Sequence, residues 1–146
     1  MKRNALLAIA VGGLSAGLID LTQALVLFGT RVPFGIAAGL IGRQAAHGGG
    51  IAIYSLGVLL HFFIATSAAT VYYVASCGLK FLTEHWFICR LFYGVTVDQV
   101  MTLIVLPLSA LHARGPYKLH DLLVGISAHM ITVGLPISFS IRRFAK

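Results

Sequence analysis

Four long apolar runs dominate the sequence, and they constrain the fold more than any other feature. They cover approximately residues 5–29, 51–77, 86–111 and 122–141. A helix needs about 20 apolar residues to cross about 30 Å of hydrocarbon, and each run is long enough. Only 10% of the residues are charged, whereas soluble proteins average about 25%. The sequence therefore predicts an integral membrane protein.

A transmembrane β-barrel is the alternative architecture, and the pattern of the runs disfavours it. Barrel strands are about ten residues long and alternate strictly between apolar and polar positions. The runs here are about twice that length and apolar on both faces. The short connections after the second and third runs favour antiparallel neighbours. We therefore predict an all-α membrane protein, with a single transmembrane domain over residues 1–146 folded as an up-and-down bundle of four helices.

Prolines and glycines mark the expected breaks between and within these helices. The connection over residues 30–50 contains Pro33, which is suited to the start of a short helix, and Gly48–Gly50, which are suited to its end. Such a helix is too short to span the bilayer, so we expect it to lie at the outer interface or to fold back over the bundle. Pro107 and Pro136 each remove a backbone hydrogen bond inside the third and fourth runs, which predicts two kinks.

The positive charges indicate how the chain is oriented. The sequence carries 11 Lys and Arg and a net charge of +7, scattered over short loops and termini. Because they form no basic stripe, we do not expect nucleic acid to be a partner. The N-terminus, the second loop and the C-terminal tail together hold seven of them, and the other side holds four. The positive-inside rule then places both termini in the cytoplasm.

Each apolar run carries one ionisable residue deep inside it. In chain order these residues are Asp20, His61, Asp98 and His129. At about 1.5 Å of rise per residue, all four lie within about 4 Å of their helix centres and share one layer. A charge at that depth costs about 2.5–3.5 kcal/mol, so it persists only when it is paired. These four residues are therefore the candidate functional site.

A small residue precedes each of these four by four positions. The small residues are Ala16, Gly57, Gly94 and Gly125. Residues four apart lie on one helix face, and small residues mark the faces on which membrane helices pack together. We therefore expect all four ionisable side chains to point into the bundle.

The order Asp, His, Asp, His suggests an internal duplication of a helical hairpin. GLID in the first run is echoed by GVTVD in the third, and GVLLHFFI in the second run by GISAHMIT in the fourth. Two such hairpins would be parallel repeats about an axis along the membrane normal.

Three hypotheses for this layer remain open. In the first, two Asp–His pairs only hold the helices in register, because buried polar groups need partners. In the second, the layer senses or relays protons or binds a small ligand, since Asp and His side chains form proton relays in membranes and His titrates near neutral pH. In the third, His61 and His129 are ligands of haem b or of a divalent metal, and the two Asp residues orient the rings. The first two need no cofactor, which is our expectation.

Nothing in the sequence indicates an enzyme, and no catalytic residue is assigned. Neither a nucleophile elbow nor a P-loop occurs. The small-residue helix faces also suit formation of a homodimer or docking as an accessory subunit of a larger membrane complex. We expect a non-enzymatic protein whose constant partner is the lipid bilayer.

The chain also resembles the YagU-like bacterial inner-membrane proteins. The similarity lies in Leu106–Pro107–Leu108, Pro116, His129 and Arg142–Arg143, and in the first-helix stretch GGLSAGLID. Family members often carry a long polar insertion between helices one and two, which this chain lacks, and Asp98 has no clear counterpart among the family's carboxylates. The resemblance implies a multi-pass protein of the bacterial inner (cytoplasmic) membrane, without an established molecular activity and with a link to acid tolerance.

Overall fold

The computed structural model describes residues 4–145, and every regular element within them is a helix. In chain order the helices are α1 (Ala5–Phe28), α2 (Val32–Ile41), α3 (Arg43–His47), α4 (Ile51–Gly78), α5 (Phe81–Glu84), α6 (Trp86–Val100), α7 (Leu106–Leu108), α8 (Leu119–His129) and α9 (Leu135–Phe144). Two π-helical turns, Met101–Val105 and Met130–Gly134, join α6 to α7 and α8 to α9. Lys2, Arg3 and Lys146, which enter the charge count above, lie outside the described residues.

Four helical spans are long and apolar enough to cross a membrane. They are Ala5–Phe28, Ile51–Gly78, Phe87–Leu108 and Leu119–Phe144. The third span combines α6 with α7, and the fourth combines α8 with α9. Large apolar side chains such as Val26 and Phe63 are exposed on these spans, as on surfaces that face lipid. The predicted all-helical fold with four membrane-length helices is confirmed.

The third span is shorter than predicted, ending at Leu108 rather than near residue 111. Ser109 leaves the helix in an extended conformation, with a ψ of 165°. Its hydroxyl accepts a hydrogen bond from the Leu111 N–H at 3.3 Å. The Ala110 N–H donates to the Gly39 carbonyl of α2 at 2.8 Å. After Leu108 the chain therefore leaves the axis of the third span and runs towards α2.

The fourth span extends three residues beyond the predicted 122–141 at each end. It begins after Lys118, whose backbone is extended, and its last turn holds Arg142 and Arg143. Long basic side chains reach from a membrane helix back to the interface, so the helix can continue past the apolar run.

Two short helices, rather than the single one expected, connect α1 to α4. Pro33 lies in the first turn of α2, as predicted, but α2 ends at Ile41. Gly42 has a φ of 85°, a left-handed conformation that ends the helix and favours glycine. α2 packs against α4, where Gly57 lets the Pro33 carbonyl approach the helix backbone.

Three pairs of packed spans are antiparallel, because residue numbers rise along one helix as they fall along its neighbour. The contacting pairs are Gly13–Thr66 and Asp20–His61 between α1 and α4, Ala8–Ser140 and Asp20–Thr132 between α1 and the fourth span, and Arg90–Gly134 and Asp98–Gly125 between α6 and the fourth span. The fourth span therefore contacts both α1 and α6.

The apolar core lies at the end of the bundle that carries the chain termini. There α1, α4 and α9 meet around buried residues that include Tyr72 and Ile137. The Tyr72 ring packs edge-on against Tyr93 with centroids 4.7 Å apart. The Tyr72 hydroxyl donates to the Leu82 carbonyl at 3.0 Å and the Tyr93 hydroxyl to the Ala68 carbonyl at 2.6 Å, so both buried hydroxyls are satisfied.

Two prolines explain the π-helical turns. Pro107 and Pro136 are each the second residue after one of these turns. Neither has the backbone N–H that would bond to the preceding turn. The Leu106 N–H instead donates to the Met101 carbonyl, which is the wider π spacing. π-Helical turns occur frequently at functional sites, and these two lie close in sequence to Asp98 and His129.

We expect Gly94→Ala to weaken the packing of the third span against the fourth. A Cβ at Gly94 would overlap the Met130 backbone, so the two helices would have to separate. Overpacking costs about 1–3 kcal/mol, and the free energy of unfolding in detergent micelles should fall by that amount. Gly78→Ala is the matched control, because nothing lies within 4 Å of a Cβ there. An equal loss in both variants would contradict tight packing at Gly94.

Candidate functional site

The first Asp–His pair joins α1 to α4. His61 Nε2 lies 3.0 Å from the Gly17 carbonyl oxygen and 3.8 Å from Asp20 Oδ2. Because a carbonyl can only accept, Nε2 carries the hydrogen of this bond. His61 is therefore hydrogen-bonded to the backbone of α1, with the Asp20 carboxyl just beyond hydrogen-bond distance.

The second pair joins α6 to α8 and is closer. His129 Nδ1 lies 3.1 Å from Asp98 Oδ1 and 2.9 Å from the carbonyl oxygen of Gly125. The Nδ1 hydrogen is therefore directed at the Gly125 carbonyl, and Asp98 Oδ1 lies beside it at ion-pair distance. The other Asp98 oxygen accepts a hydrogen bond from Gln99 Nε2 at 3.2 Å. Asp98 is only 4% exposed, so these contacts replace the water that a carboxylate otherwise binds.

All four side chains lie mostly inside the protein. Counting side-chain atoms only, the exposed fractions are 15% for His61, 17% for Asp20, 23% for His129 and 6% for Asp98. By contrast, the side chain of His120 in the first turn of α8 is 85% exposed. The four groups are thus placed within the bundle rather than on its lipid-facing surface.

The four small residues lie where neighbouring elements come close. Ala16 is fully buried. A Cβ at Gly125 would lie 2.7 Å from Asp98 Oδ1, so this glycine leaves the space that the carboxyl group fills. Gly57 and Gly94 admit the backbones of α2 and of the fourth span. Close approach at these positions lets short Asp and His side chains reach across between helices.

Thr132 lies on the same span as His129 and contacts Asp20 of the first pair, and it was not predicted from the sequence. Its hydroxyl oxygen lies 2.6 Å from Asp20 Oδ1 and 2.9 Å from the Ala128 carbonyl oxygen. A hydroxyl has one hydrogen, so Thr132 shares it between these two acceptors or donates it to one of them at a time. Its position three residues after His129 is the only sequence signal that distinguishes it from the other threonines.

A groove of about 650 Å³ between α1 and α8 reaches Thr132. Mostly apolar side chains line it, and the exposed His120 lies on it in the first turn of α8. Gln23 also lines the groove, and within residues 4–145 its buried Oε1 has no hydrogen-bond partner. The groove brings the Thr132 side of the polar network to the protein surface.

The two histidines are the candidate ligands for haem or a metal. Within the described part of the chain, no group of three or more His, Cys, Asp or Glu side chains is placed to hold a metal ion. Among the same residues, His61 Nδ1 and His129 Nε2 make no hydrogen bond. A carboxylate on the opposite ring nitrogen, as Asp98 is on His129, is how proteins orient ligating histidines. The haem hypothesis therefore rests on these two ring nitrogens.

We expect His61→Leu to lower the free energy of unfolding by about 1–3 kcal/mol, because the Gly17 carbonyl and Asp20 lose a buried partner. Membrane insertion should be unchanged, since leucine is more apolar. His120→Leu makes the same chemical change at an exposed position and should have an effect within about 0.5 kcal/mol. The two variants are compared with the wild type by thermal unfolding in the same detergent. A wild-type value for His61→Leu would argue against a stabilising role of this pair.

Thr132→Val should destabilise the protein by a similar amount, about 1–3 kcal/mol, because it removes the hydroxyl that meets the Asp20 carboxyl without changing the side-chain shape. Thr96→Val is the matched control, since the exposed Thr96 hydroxyl bonds only to the Phe92 carbonyl of its own helix. Equal unfolding free energies for the two variants would show that the contact between Thr132 and Asp20 contributes nothing.

No family model, curated protein or solved structure matches the chain. The resemblance to the YagU-like proteins rests on the residues that carry it and stays a prediction.

Proposed function

We propose that the chain is a non-enzymatic, multi-pass protein of the bacterial inner membrane, in which the Asp/His network holds the helices in register and exchanges protons. The observation that carries this proposal is the contact of Thr132 with Asp20, which ties the first Asp–His pair to the span that carries His129. All members of this network are ionisable or hydroxyl groups, and together they lie on all four spans.

In this proposal the four spans form an up-and-down bundle with both termini in the cytoplasm. The antiparallel contacts between packed spans support this topology. The excess of Lys and Arg at the termini and in the second loop supports the orientation. The two short helices α2 and α3 then lie at the outer interface, where α2 covers α4 one turn beyond His61.

The network suits the role of a register lock because each pair bridges two helices. Hydrogen bonds between membrane helices contribute about 0.6 kcal/mol on average, so the pairs add modestly to stability. Loss of one partner costs more, because it leaves a buried polar group unsatisfied. Any arrangement in which a span slides or rotates would break a pair and is therefore disfavoured. The pairs thus contribute more to the specificity of the fold than to its stability.

Proton exchange is supported by the chemistry around Asp20. Its carboxyl group contacts the Thr132 hydroxyl, which can both accept and donate a hydrogen, and it lies near the imidazole of His61. Thr132 also lines the groove between α1 and α8, which provides a route from the surface. A carboxyl, a hydroxyl and an imidazole in sequence are the components of a proton relay in a membrane.

A b-type haem or metal bound by His61 and His129 is the second candidate. It is favoured by the contact of Asp98 with His129 Nδ1, which leaves the Nε2 atom available. Added haem should then produce a Soret absorption band that is lost in His129→Gln. Association of the chain with itself or with a larger membrane complex is compatible with either candidate.

The proton role predicts that the hydrogen on His61 Nε2 exchanges with solvent water. The exchange rate of this ring hydrogen can be measured by NMR in lipid nanodiscs. Asp20→Asn removes the neighbouring carboxyl group and should slow this exchange. Asp98→Asn removes the other carboxyl group and should leave the rate unchanged.

A His61 ring hydrogen that does not exchange with water, or that exchanges at the wild-type rate in a folded Asp20→Asn variant, would refute proton exchange at this pair. The same outcome would leave the register role as the function of the network.

A further inference from the structure

A recess at the end of the bundle that carries the chain termini is lined by basic side chains. It has a volume of about 610 Å³ and lies between Asn4, Phe139, Arg142 and Arg143. We propose that this recess binds the phosphate headgroup of an anionic phospholipid. The inference goes beyond the proposed function and does not depend on it.

The charge balance of the chain favours an anion from outside. The sequence has 11 Lys and Arg but only 4 Asp and Glu. Asp20 and Asp98 face histidines inside the bundle, and Asp121 lies beside His120 at the opposite end of the fourth span. Of the four acidic residues, Glu84 alone belongs to the end that holds the recess. Basic residues, among them Lys80, Arg90, Arg142 and Arg143, therefore outnumber acidic ones at that end.

Arginine is suited to the phosphate group of such a lipid. The guanidinium group presents several N–H donors in a planar fork that matches two phosphate oxygens. Arg142 and Arg143 are both exposed in the last turn of α9. Clusters of basic residues at the ends of membrane helices attract anionic headgroups.

Phe139 indicates a lipid rather than a free anion. It precedes Arg142 by three residues, which places it about 4.5 Å further along the helix towards the hydrocarbon. Its side chain is 53% exposed, so it offers an apolar surface directly below the basic groups. A phospholipid matches both parts, with its phosphate at the arginines and its glycerol and upper acyl chain against the ring. Inorganic phosphate would use only the first part.

The test is competition between two lipids for the purified full-length protein. Phosphatidylglycerol and phosphatidylcholine with identical acyl chains are added in equal amounts, and bound lipid is counted by native mass spectrometry. Each basic residue near an anionic surface contributes about fivefold in affinity. The double variant Arg142→Gln/Arg143→Gln should therefore lower the preference for phosphatidylglycerol by about 25-fold.

The matched control is Arg114→Gln/Lys118→Gln, which removes the same charge from the loop at the other end of the bundle. The control should keep the wild-type preference. The proposal is overturned if the Arg142/Arg143 variant keeps the preference for phosphatidylglycerol. It is also overturned if the control loses this preference equally, since net charge alone would then explain binding. Displacement of the lipid by an equal concentration of glycerol phosphate would also overturn it, because the contact at Phe139 would then contribute nothing.

Discussion

A carboxyl group removed from water must find its partners inside the protein, and this requirement shapes the middle of the bundle. Asp98 is almost fully buried, where an unpaired charge costs several times what a hydrogen bond contributes. Its oxygens meet His129 and Gln99, whereas Asp20 meets Thr132 and, at a longer distance, His61. Because three of these four partners lie on another span, satisfying the carboxyl groups also fixes how the spans lie against one another. The arrangement of the helices and the chemistry of the layer therefore depend on the same contacts.

These contacts require helices that approach closely, and glycine makes the approach possible. Asp and His side chains are short, so they meet only where the intervening side chains are absent. Gly125 leaves the space occupied by the Asp98 carboxyl group, and Gly94 brings the third span against the backbone of the fourth. Small residues at helix interfaces do the same in membrane proteins generally. Packing in this bundle thus follows from the polar groups as much as from the apolar ones.

The four members of the layer could be predicted from the sequence because each is a lone ionisable group deep in an apolar run. Their partners could not, since pairing depends on which helices are neighbours and on side-chain rotamers. Thr132 was missed because a hydroxyl bonded to its own helix backbone is ordinary in a membrane span. The break at Gly42 was missed because Gly35 and Gly39 lie in the same stretch without ending the helix, and only the observed positive φ distinguishes Gly42 from them. The prolines indicated lost hydrogen bonds, but not that the backbone would absorb the loss as π-helical turns.

The two Asp–His pairs repeat in order along the chain but not in chemistry. His61 Nε2 hydrogen-bonds to the backbone of a neighbouring helix, while His129 Nδ1 hydrogen-bonds to the backbone of its own helix and lies 3.1 Å from Asp98 Oδ1. Only Asp20 meets the hydroxyl that lines the groove. If the pairs descend from one duplicated hairpin, they have diverged. The second pair is closed, with Asp98 and His129 3.1 Å apart, and the first is open, with Asp20 and His61 3.8 Å apart. An open pair beside an accessible hydroxyl can exchange a proton without separating the helices, whereas a closed pair with both oxygens engaged resists such exchange. The register and proton roles proposed for the network therefore fall mainly on different pairs.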